Sequence, residues 1–134
     1  MKQKKQETKA ILLGAGKPYK GRNHSALKSS GEKPDYLILD WILSSIKRIS
    51  QEIIFIGGYQ ISKIKKKYPS LSFTKNKKWK ESKSSFSLLS TELERNTNYI
   101  ISYVDIVYRE NIPEGLLKSK ADIAIAVDSK WLER

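Results

Sequence analysis

The stretch Ala10-Ile11-Leu12-Leu13-Gly14-Ala15-Gly16, followed by Lys17-Pro18-Tyr19-Lys20, decides the fold of this 134-residue chain. Four consecutive apolar residues without polar alternation are typical of a strand buried on both faces, as in a parallel sheet. The glycines directly after this strand allow a sharp turn and a close approach of the backbone to a ligand. Exposed amide groups in such a turn, next to lysine side chains, favour binding of the phosphates of a nucleotide.

The composition indicates one globular domain over residues 1–134. Hydrophobic residues make up 39% of the chain and charged residues 30%, and there is no cysteine. A core can therefore form, and disulfides and cysteine-ligated metals are excluded. No apolar run is long enough to cross a bilayer, and the run behind the basic amino terminus stops at Gly14, too early for a secretory segment. We therefore expect a cytoplasmic protein that does not associate with membranes.

The charge balance favours an anionic partner, because 26 basic residues outnumber 14 acidic ones and give a net charge of +12. Nine of the lysines lie between Lys63 and Lys83, where Glu81 is the single acid. Two interpretations of this segment stay open. It is either a surface that binds RNA or another polyanion, with Tyr68, Phe73 and Trp79 interleaved for base stacking, or simply a solvated face.

Hydrophobic patterns that alternate along the chain predict alternating strands and helices. The predicted strands are 10–13, 53–56, 71–74, 99–104 and 122–127. The predicted helices are 35–49, 60–68 and 84–93, with a turn or helix between the last two strands. This order predicts an α/β fold, a Rossmann-like three-layer sandwich with a mainly parallel sheet and helices on both faces.

Two features fall at the carboxyl ends of predicted strands, where open parallel sheets bind their ligands. One is the turn 14–16, and the other is Asp105 after the strand 99–104. An aspartate in this position is suited to hold Mg²⁺, which takes carboxylate, phosphate and water oxygens. The competing interpretation is that the Asp105 side chain caps the following turn.

Several familiar kinds of site do not match the sequence. The glycine turn has no third glycine and no Gly-Lys-Ser/Thr ending, which disfavours both dinucleotide binding and P-loop hydrolysis. His24 is the single histidine of the chain. It lies in a polar loop without a second zinc ligand, and we interpret it as incidental.

The motifs that remain follow one another in a recognisable order. The glycine turn is followed by Arg22, then by His-Ser-Ala-Leu-Lys at 24–28, then by Gly-Glu-Lys-Pro at 31–34 and an amphipathic helix. This order resembles the amino-terminal half of sugar-phosphate-type nucleotidyltransferases, and we expect a nucleotide-diphospho-sugar transferase-like fold. The segment 126–132 resembles a subgroup of that family that includes phosphocholine and phosphonate cytidylyltransferases.

The resemblance implies transfer of a nucleoside monophosphate from an NTP, with CTP as one candidate, to a phosphorylated small-molecule acceptor. Pyrophosphate is released and Mg²⁺ is the cofactor. Asp105 lies in a segment that resembles the strand with the metal-binding aspartate. Ser25 stands where the family has a lysine, so Lys28 or Arg22 would take the catalytic role of neutralising phosphate charge. The implied nucleotide-binding residues are Leu13, Gly14, Ala15, Gly16, Lys17 and Ser87.

Members of this family are longer, and a second metal-binding aspartate comes from their later half. We therefore expect a fold that is incomplete at the carboxyl end, as in a truncated or split protein, with weak or absent turnover alone. A partner chain that supplies the missing half would complete the site. The alternative from another functional class is a non-catalytic basic α/β module that binds RNA or another polyanion.

Overall fold

The computed structural model describes residues 6–31 and 33–133, which form an α/β fold around a four-stranded sheet. The strands are β1 (Glu7–Gly14), β2 (Ile53–Gly57), β3 (Ser72–Lys75) and β4 (Thr97–Tyr103). The helices are α1 (Ile38–Ile46), α2 (Ile61–Lys67), α3 (Ser84–Leu89) and α4 (Asn111–Leu117). All three strand pairs are parallel. The predicted α/β class with a parallel sheet is therefore confirmed.

The strand order β3-β2-β1-β4 creates a crevice next to β1. The chain moves from β1 outwards to β2 and β3, and then returns to place β4 on the other side of β1. β1 therefore lies between β2, the next strand in the chain, and β4, which the chain reaches only after β3. Open α/β sheets bind their ligands where the strand order changes in this way. Leu13 of β1 lies opposite Tyr103 of β4. The glycine turn and Asp105 thus follow neighbouring strands at the same edge of the sheet.

The main core lies between one face of the sheet and α1. Ala10 and Leu12 of β1 are buried on this face with Phe55 of β2, and α2 adds Ile64. The residues of α1 that complete this core recur at three- and four-residue spacing and are Leu39, Ile42, Leu43 and Ile46. This spacing puts them on one side of the helix, so the amphipathic pattern accounts for the position of α1.

The opposite face of the sheet carries the alternate residues of each strand. Ile11 and Ile56 are fully buried there, and α3 contacts β1 and β2. Ile101 and Tyr103 of β4 remain about half exposed, at 46% and 47%. The second layer of helix therefore covers β1 and β2 better than it covers β4.

A cluster of ion pairs lies at the end of the sheet opposite the crevice and holds separate parts of the chain together. The Nζ atom of Lys9 lies 3.0 Å from a Glu52 carboxylate oxygen and 2.7 Å from one of Glu94. Hydrogen bonds to these two carboxylates raise the pKa of Lys9 above its usual value. The cluster connects β1 with the segments that precede β2 and β4.

The helices are shorter than the sequence pattern predicts. The first helix begins at Ile38 rather than at 35, because the Asp40 carboxylate accepts the backbone N–H of Leu37 at 2.8 Å and caps the helix there. The third helix ends at Leu89 rather than at 93. A prediction from periodicity alone overestimates the length of a helix, since caps and turns decide where the helix begins and ends.

The predicted strand 122–127 is wrong. These residues have no strand structure and are exposed throughout, with Ile123, Ile125 and Val127 at 82%, 78% and 81% exposure. Their apolar alternation is typical of a strand, but a strand forms only where a neighbour accepts its backbone hydrogen bonds.

Among residues 6–31 and 33–133 no helix has the length and apolarity needed to cross a membrane.

Position 58 requires glycine, because the Ala15 backbone and the Trp79 side chain lie very close to it. A Cβ atom at this position would lie 2.5 Å from the Cβ of Trp79 and 2.8 Å from the carbonyl oxygen of Ala15. At Gly16 a Cβ would meet no atom within 4 Å. An added methyl group would therefore clash with its neighbours at Gly58 and would meet open space at Gly16.

We expect Gly58→Ala to lower the free energy of unfolding by about 1–3 kcal/mol, because the Trp79 loop or the glycine turn must shift. Gly16→Ala should be neutral or slightly stabilising, since it adds no clash and restricts the unfolded chain. Urea unfolding of both variants and the wild type measures the difference. Equal stability of the two variants would contradict the packing described for Gly58.

Candidate functional site

A cleft of about 660 Å³ opens at the carboxyl ends of β1 and β4. Its walls are the glycine turn, the cationic loop after it, the end of β4 and the loop that leads into α3. The structure places eight of the sequence-predicted site residues on these walls: Leu13, Gly14, Ala15, Gly16, Lys17, Lys28, Ser87 and Asp105. Residues up to 92 positions apart in the chain thus line one cavity. Their roles in binding stay predictions.

Arg22 is the predicted site residue that does not line the cleft. Its side chain is exposed, and its backbone carbonyl accepts hydrogen bonds from the Tyr59 hydroxyl at 2.8 Å and from Nε2 of Gln60 at 3.1 Å. Of the two basic residues predicted to neutralise phosphate charge, Lys28 is the one on the cleft wall. The structure therefore places Lys28 on the cleft wall and Arg22 outside the cleft, although the sequence predicted the same role for both.

His24 is a functional candidate that the sequence interpretation missed. Its side chain is 1% exposed. Its Nε2 atom lies 2.7 Å from the carbonyl oxygen of Gly14, and its Nδ1 atom accepts the backbone N–H of Ala26 at 3.1 Å. The interpretation as an incidental loop residue is thus corrected. Because both partners are backbone groups, no side-chain motif in the sequence could signal these contacts.

The two contacts fix the protonation state of the His24 ring. Since Nδ1 accepts a hydrogen bond, the proton must be on Nε2, which donates to Gly14. Burial lowers the pKa of His24 below its usual value, partly offset by the Gly14 carbonyl and by the charge of Asp105. A neutral ring therefore connects the end of β1 to the short 3-10 turn Ser25–Leu27.

A second buried polar group, Asn76, organises the other wall of the cleft. Its Nδ2 atom donates to the hydroxyl oxygens of Ser82 and Ser87, each at 2.9 Å. Its Oδ1 atom accepts the backbone N–H of Lys78 at 2.9 Å, which fixes the orientation of the amide. Ser82 and Ser87 both line the cleft. Since each hydroxyl oxygen already accepts a hydrogen bond from Asn76, its own hydrogen is available to donate.

Aromatic rings connect the two walls. Trp79 lines the cleft, and its ring centroid lies 5.6 Å from that of Tyr59. The Nζ atom of Lys17 lies 5.9 Å from the centre of the Tyr59 ring. Trp79 therefore packs on the segment after β2 and also presents a surface to the cleft. Base stacking on this ring stays a prediction.

The nine lysines between Lys63 and Lys83 are all exposed. Lys65 lies over the ring of Phe73 and Lys80 over that of Trp79, at 5.7 and 5.6 Å. Ile64 of the same segment is fully buried, so α2 turns its apolar side inwards and its lysines outwards. This arrangement is compatible with a solvated face and with a surface for polyanions, and the RNA-binding alternative stays a prediction.

Asp105 is exposed and lies on the cleft wall two residues after β4. Within the described part of the chain no three His, Cys, Asp or Glu residues are grouped closely enough to hold a metal by themselves. Mg²⁺, however, is commonly bound by one or two carboxylates together with substrate phosphates and water. A single carboxylate therefore fits an ion that arrives with a nucleotide.

The parallel sheet with its helices is a Rossmann-like α/β fold. A solved structure of CTP:phosphocholine cytidylyltransferase from Streptococcus pneumoniae has this fold, with a TM-score of 0.56 and 24% identity. The similarity covers 79% of this chain and 50% of that structure. At this identity the likeness establishes the fold.

Sequence comparison gives a related result. The chain is 29% identical over 104 residues to CTP:phosphoglutamine cytidylyltransferase from Campylobacter jejuni. The match covers 70% of this chain and 41% of that enzyme. No protein-family model matches the chain. Both similar proteins are nucleotidyltransferases, which confirms the resemblance predicted from the motifs, and this chain spans half of their length or less.

We expect the stability of the protein to fall as the pH drops below about 6.5, in part because of His24. The unfolded chain takes up this proton at the ordinary pKa, whereas the folded chain resists it. The contribution is thus present above that pH and is lost below it. In the His24→Gln variant the side-chain amide can still donate a hydrogen bond to the carbonyl oxygen of Gly14. Unlike histidine, glutamine takes up no proton in this pH range.

Urea unfolding at pH 7.5 and pH 5.5 measures this effect. The wild type should lose more stability between the two pH values than His24→Gln, by at most about 1.4 kcal/mol per pH unit. Carboxylates titrate in both proteins, so the difference reports on the histidine. An identical loss in both would show that the His24 pKa is not lowered in the folded state.

Proposed function

We propose that this chain forms the nucleotide-binding part of a cytidylyltransferase that uses CTP and a phosphorylated small-molecule acceptor. An acceptor phosphate oxygen would attack the α-phosphorus of CTP, and the bond from that phosphorus to the β-phosphate oxygen would break. The products are a CMP-linked acceptor and pyrophosphate. The observation that carries the proposal is that the glycine turn, Ser87 and Asp105 line one cleft. This cleft lies beside β1, between the strand that follows β1 in the chain and the strand added last.

The phosphate end of the nucleotide would lie at the glycine turn. Backbone amides of residues 14–16 would donate to phosphate oxygens, as turns of this kind do at anion sites. Lys17 and Lys28 line the same wall and would neutralise the charge that develops on the departing pyrophosphate. Their positive charge also attracts nucleotide phosphates into the cleft from solution.

The base end of the nucleotide would lie at Ser82 and Ser87. Both hydroxyls have a hydrogen to donate, because Asn76 already occupies an acceptor position on each oxygen. Cytosine presents two neighbouring acceptors, O2 and N3, whereas uracil has an N–H donor at N3. A pair of donors therefore favours cytosine, in agreement with the CTP in the names of both similar enzymes.

The cofactor of the proposed reaction would be Mg²⁺, which Asp105 and phosphate oxygens of the nucleotide would hold. When bound, the ion supplies charge neutralisation for the phosphoryl groups in the transition state. Asp105 follows β4, on the side of the crevice opposite the glycine turn. Its backbone lies two residues after the end of β4 and is thus close to a strand of the sheet.

Asp105→Asn should abolish the Mg²⁺-dependent part of nucleotide binding, because the amide is a much weaker ligand than a carboxylate. We expect CTP with Mg²⁺ to raise the Tm of the wild type more than CTP alone, and this increment to vanish in the variant. Thermal unfolding with and without Mg²⁺ measures it. Asp122→Asn, at an exposed position outside the cleft, is the control. An increment that survives Asp105→Asn would remove Asp105 from the metal site.

Ser87→Ala should lower the preference for CTP over UTP by about tenfold, the effect of one lost hydrogen bond to a polar ligand atom. Titration calorimetry with both nucleotides gives the ratio of the two Kd values. Ser85→Ala on the same helix is exposed and should leave the ratio unchanged. If Ser87→Ala weakens CTP and UTP equally, Ser87 supports the wall but does not read the base.

A further inference from the structure

Gln60 is one of two non-glycine residues with a positive φ among residues 6–31 and 33–133. Its φ of 51° and ψ of 27° place it in the left-handed region, immediately before α2. Residues with a β-carbon adopt this conformation at an energetic cost, and such strain is often found at functional positions. Its side chain does not offset the cost by capping the helix, because it makes no cap hydrogen bond.

The Gln60 carboxamide instead contacts the cationic loop. Its Nε2 atom donates to the carbonyl oxygen of Arg22 at 3.1 Å, and its Oε1 atom accepts the backbone N–H of His24 at 3.1 Å. A carbonyl and an N–H two residues apart are the groups that a neighbouring strand would pair with. The side chain of Gln60 thus replaces a strand as the partner of this part of the loop.

The other contacts of the loop are close to these two. The neighbouring Tyr59 donates its backbone N–H to the carbonyl oxygen of Ala15 and its hydroxyl to that of Arg22, both at 2.8 Å. The His24 ring contacts Gly14 at 2.7 Å. Both ends of the segment 15–24 are therefore held by the two residues that follow Gly58, together with His24. Between these ends lie the exposed Lys17 and Lys20, which line the cleft.

We propose that Gln60 is a positioning residue that, with His24, holds the cationic loop in the shape that binds nucleotide phosphates. The inference rests on the proposed function for its ligand, but the hydrogen bonds that carry it are present without a nucleotide. In the left-handed conformation the carboxamide reaches the loop, so the strain at Gln60 has a structural purpose. Without this contact the loop would lose two of its backbone hydrogen bonds and would sample other shapes.

Gln60→Gly tests the proposal, because glycine adopts a positive φ without cost and removes only the carboxamide. The first measurement is limited trypsin digestion of the nucleotide-free protein, followed by mass spectrometry. We expect cleavage after Lys20 and Arg22 to become at least fivefold faster, while the Tm stays within about 2 °C of the wild type. The bond after Lys17 precedes a proline and resists trypsin. Gln51→Gly, an exposed glutamine at the far end of the sheet, is the matched control.

The second measurement is the Kd for CTP with Mg²⁺. Gln60→Gly should weaken binding about tenfold without a loss of stability, a combination that a purely structural role would not give. Unchanged cleavage in the loop would overturn the positioning role, whatever happens to the nucleotide. Faster cleavage with unchanged affinity would overturn its link to phosphate binding. If the wild type bound no nucleotide, the proposed function would fail, and the cleavage rates would still decide whether Gln60 holds the loop.

Discussion

The parallel pairing of β1 with β4 is the interaction on which the cleft depends. Seven residue pairs, from Glu7–Thr97 to Leu13–Tyr103, align β1 with the full length of β4. This register brings the glycine turn and Asp105 to the same edge of the sheet, although they are about 90 residues apart in sequence. A slip by one residue would exchange the two faces of β4 and move Val104 out of the core. The register is therefore a condition for the site as well as for the fold.

Much of the fold and part of the cleft could be predicted from the sequence, because they depend on local patterns. The run from Ala10 to Leu13 and the turn after it are local, and so is Asp105 at a strand end. The contacts of His24 and Asn76 could not be predicted, because they depend on how two loops fold. The hydrogen-bond partners of the His24 ring are backbone groups, and the serine partners of Asn76 lie 6 and 11 residues further along the chain. The segment 122–127 shows the opposite case, in which a strong strand pattern has no neighbouring strand to pair with.

The cleft combines hydrogen-bonded walls with mutually repelling charges. One wall is fixed by neutral hydrogen bonds at His24 and the other by those at Asn76. Lys17, Lys20 and Lys28 line the space between them, so an anion that enters relieves repulsion among these lysines. Neutral buried groups thus hold the backbone, while exposed cations supply attraction. This division lets the walls keep their shape whether or not a ligand neutralises the lysines.

The exposed apolar side chains of residues 123–127 have a consequence for the behaviour of the protein in solution. An apolar stretch with strand-like alternation and free backbone groups is prone to self-association. A net charge of +12 keeps molecules apart at low ionic strength, and this repulsion is screened as salt is added. Colloidal stability should therefore be highest in dilute buffer and should decrease in concentrated salt, the reverse of the usual salting-in of proteins near their isoelectric point.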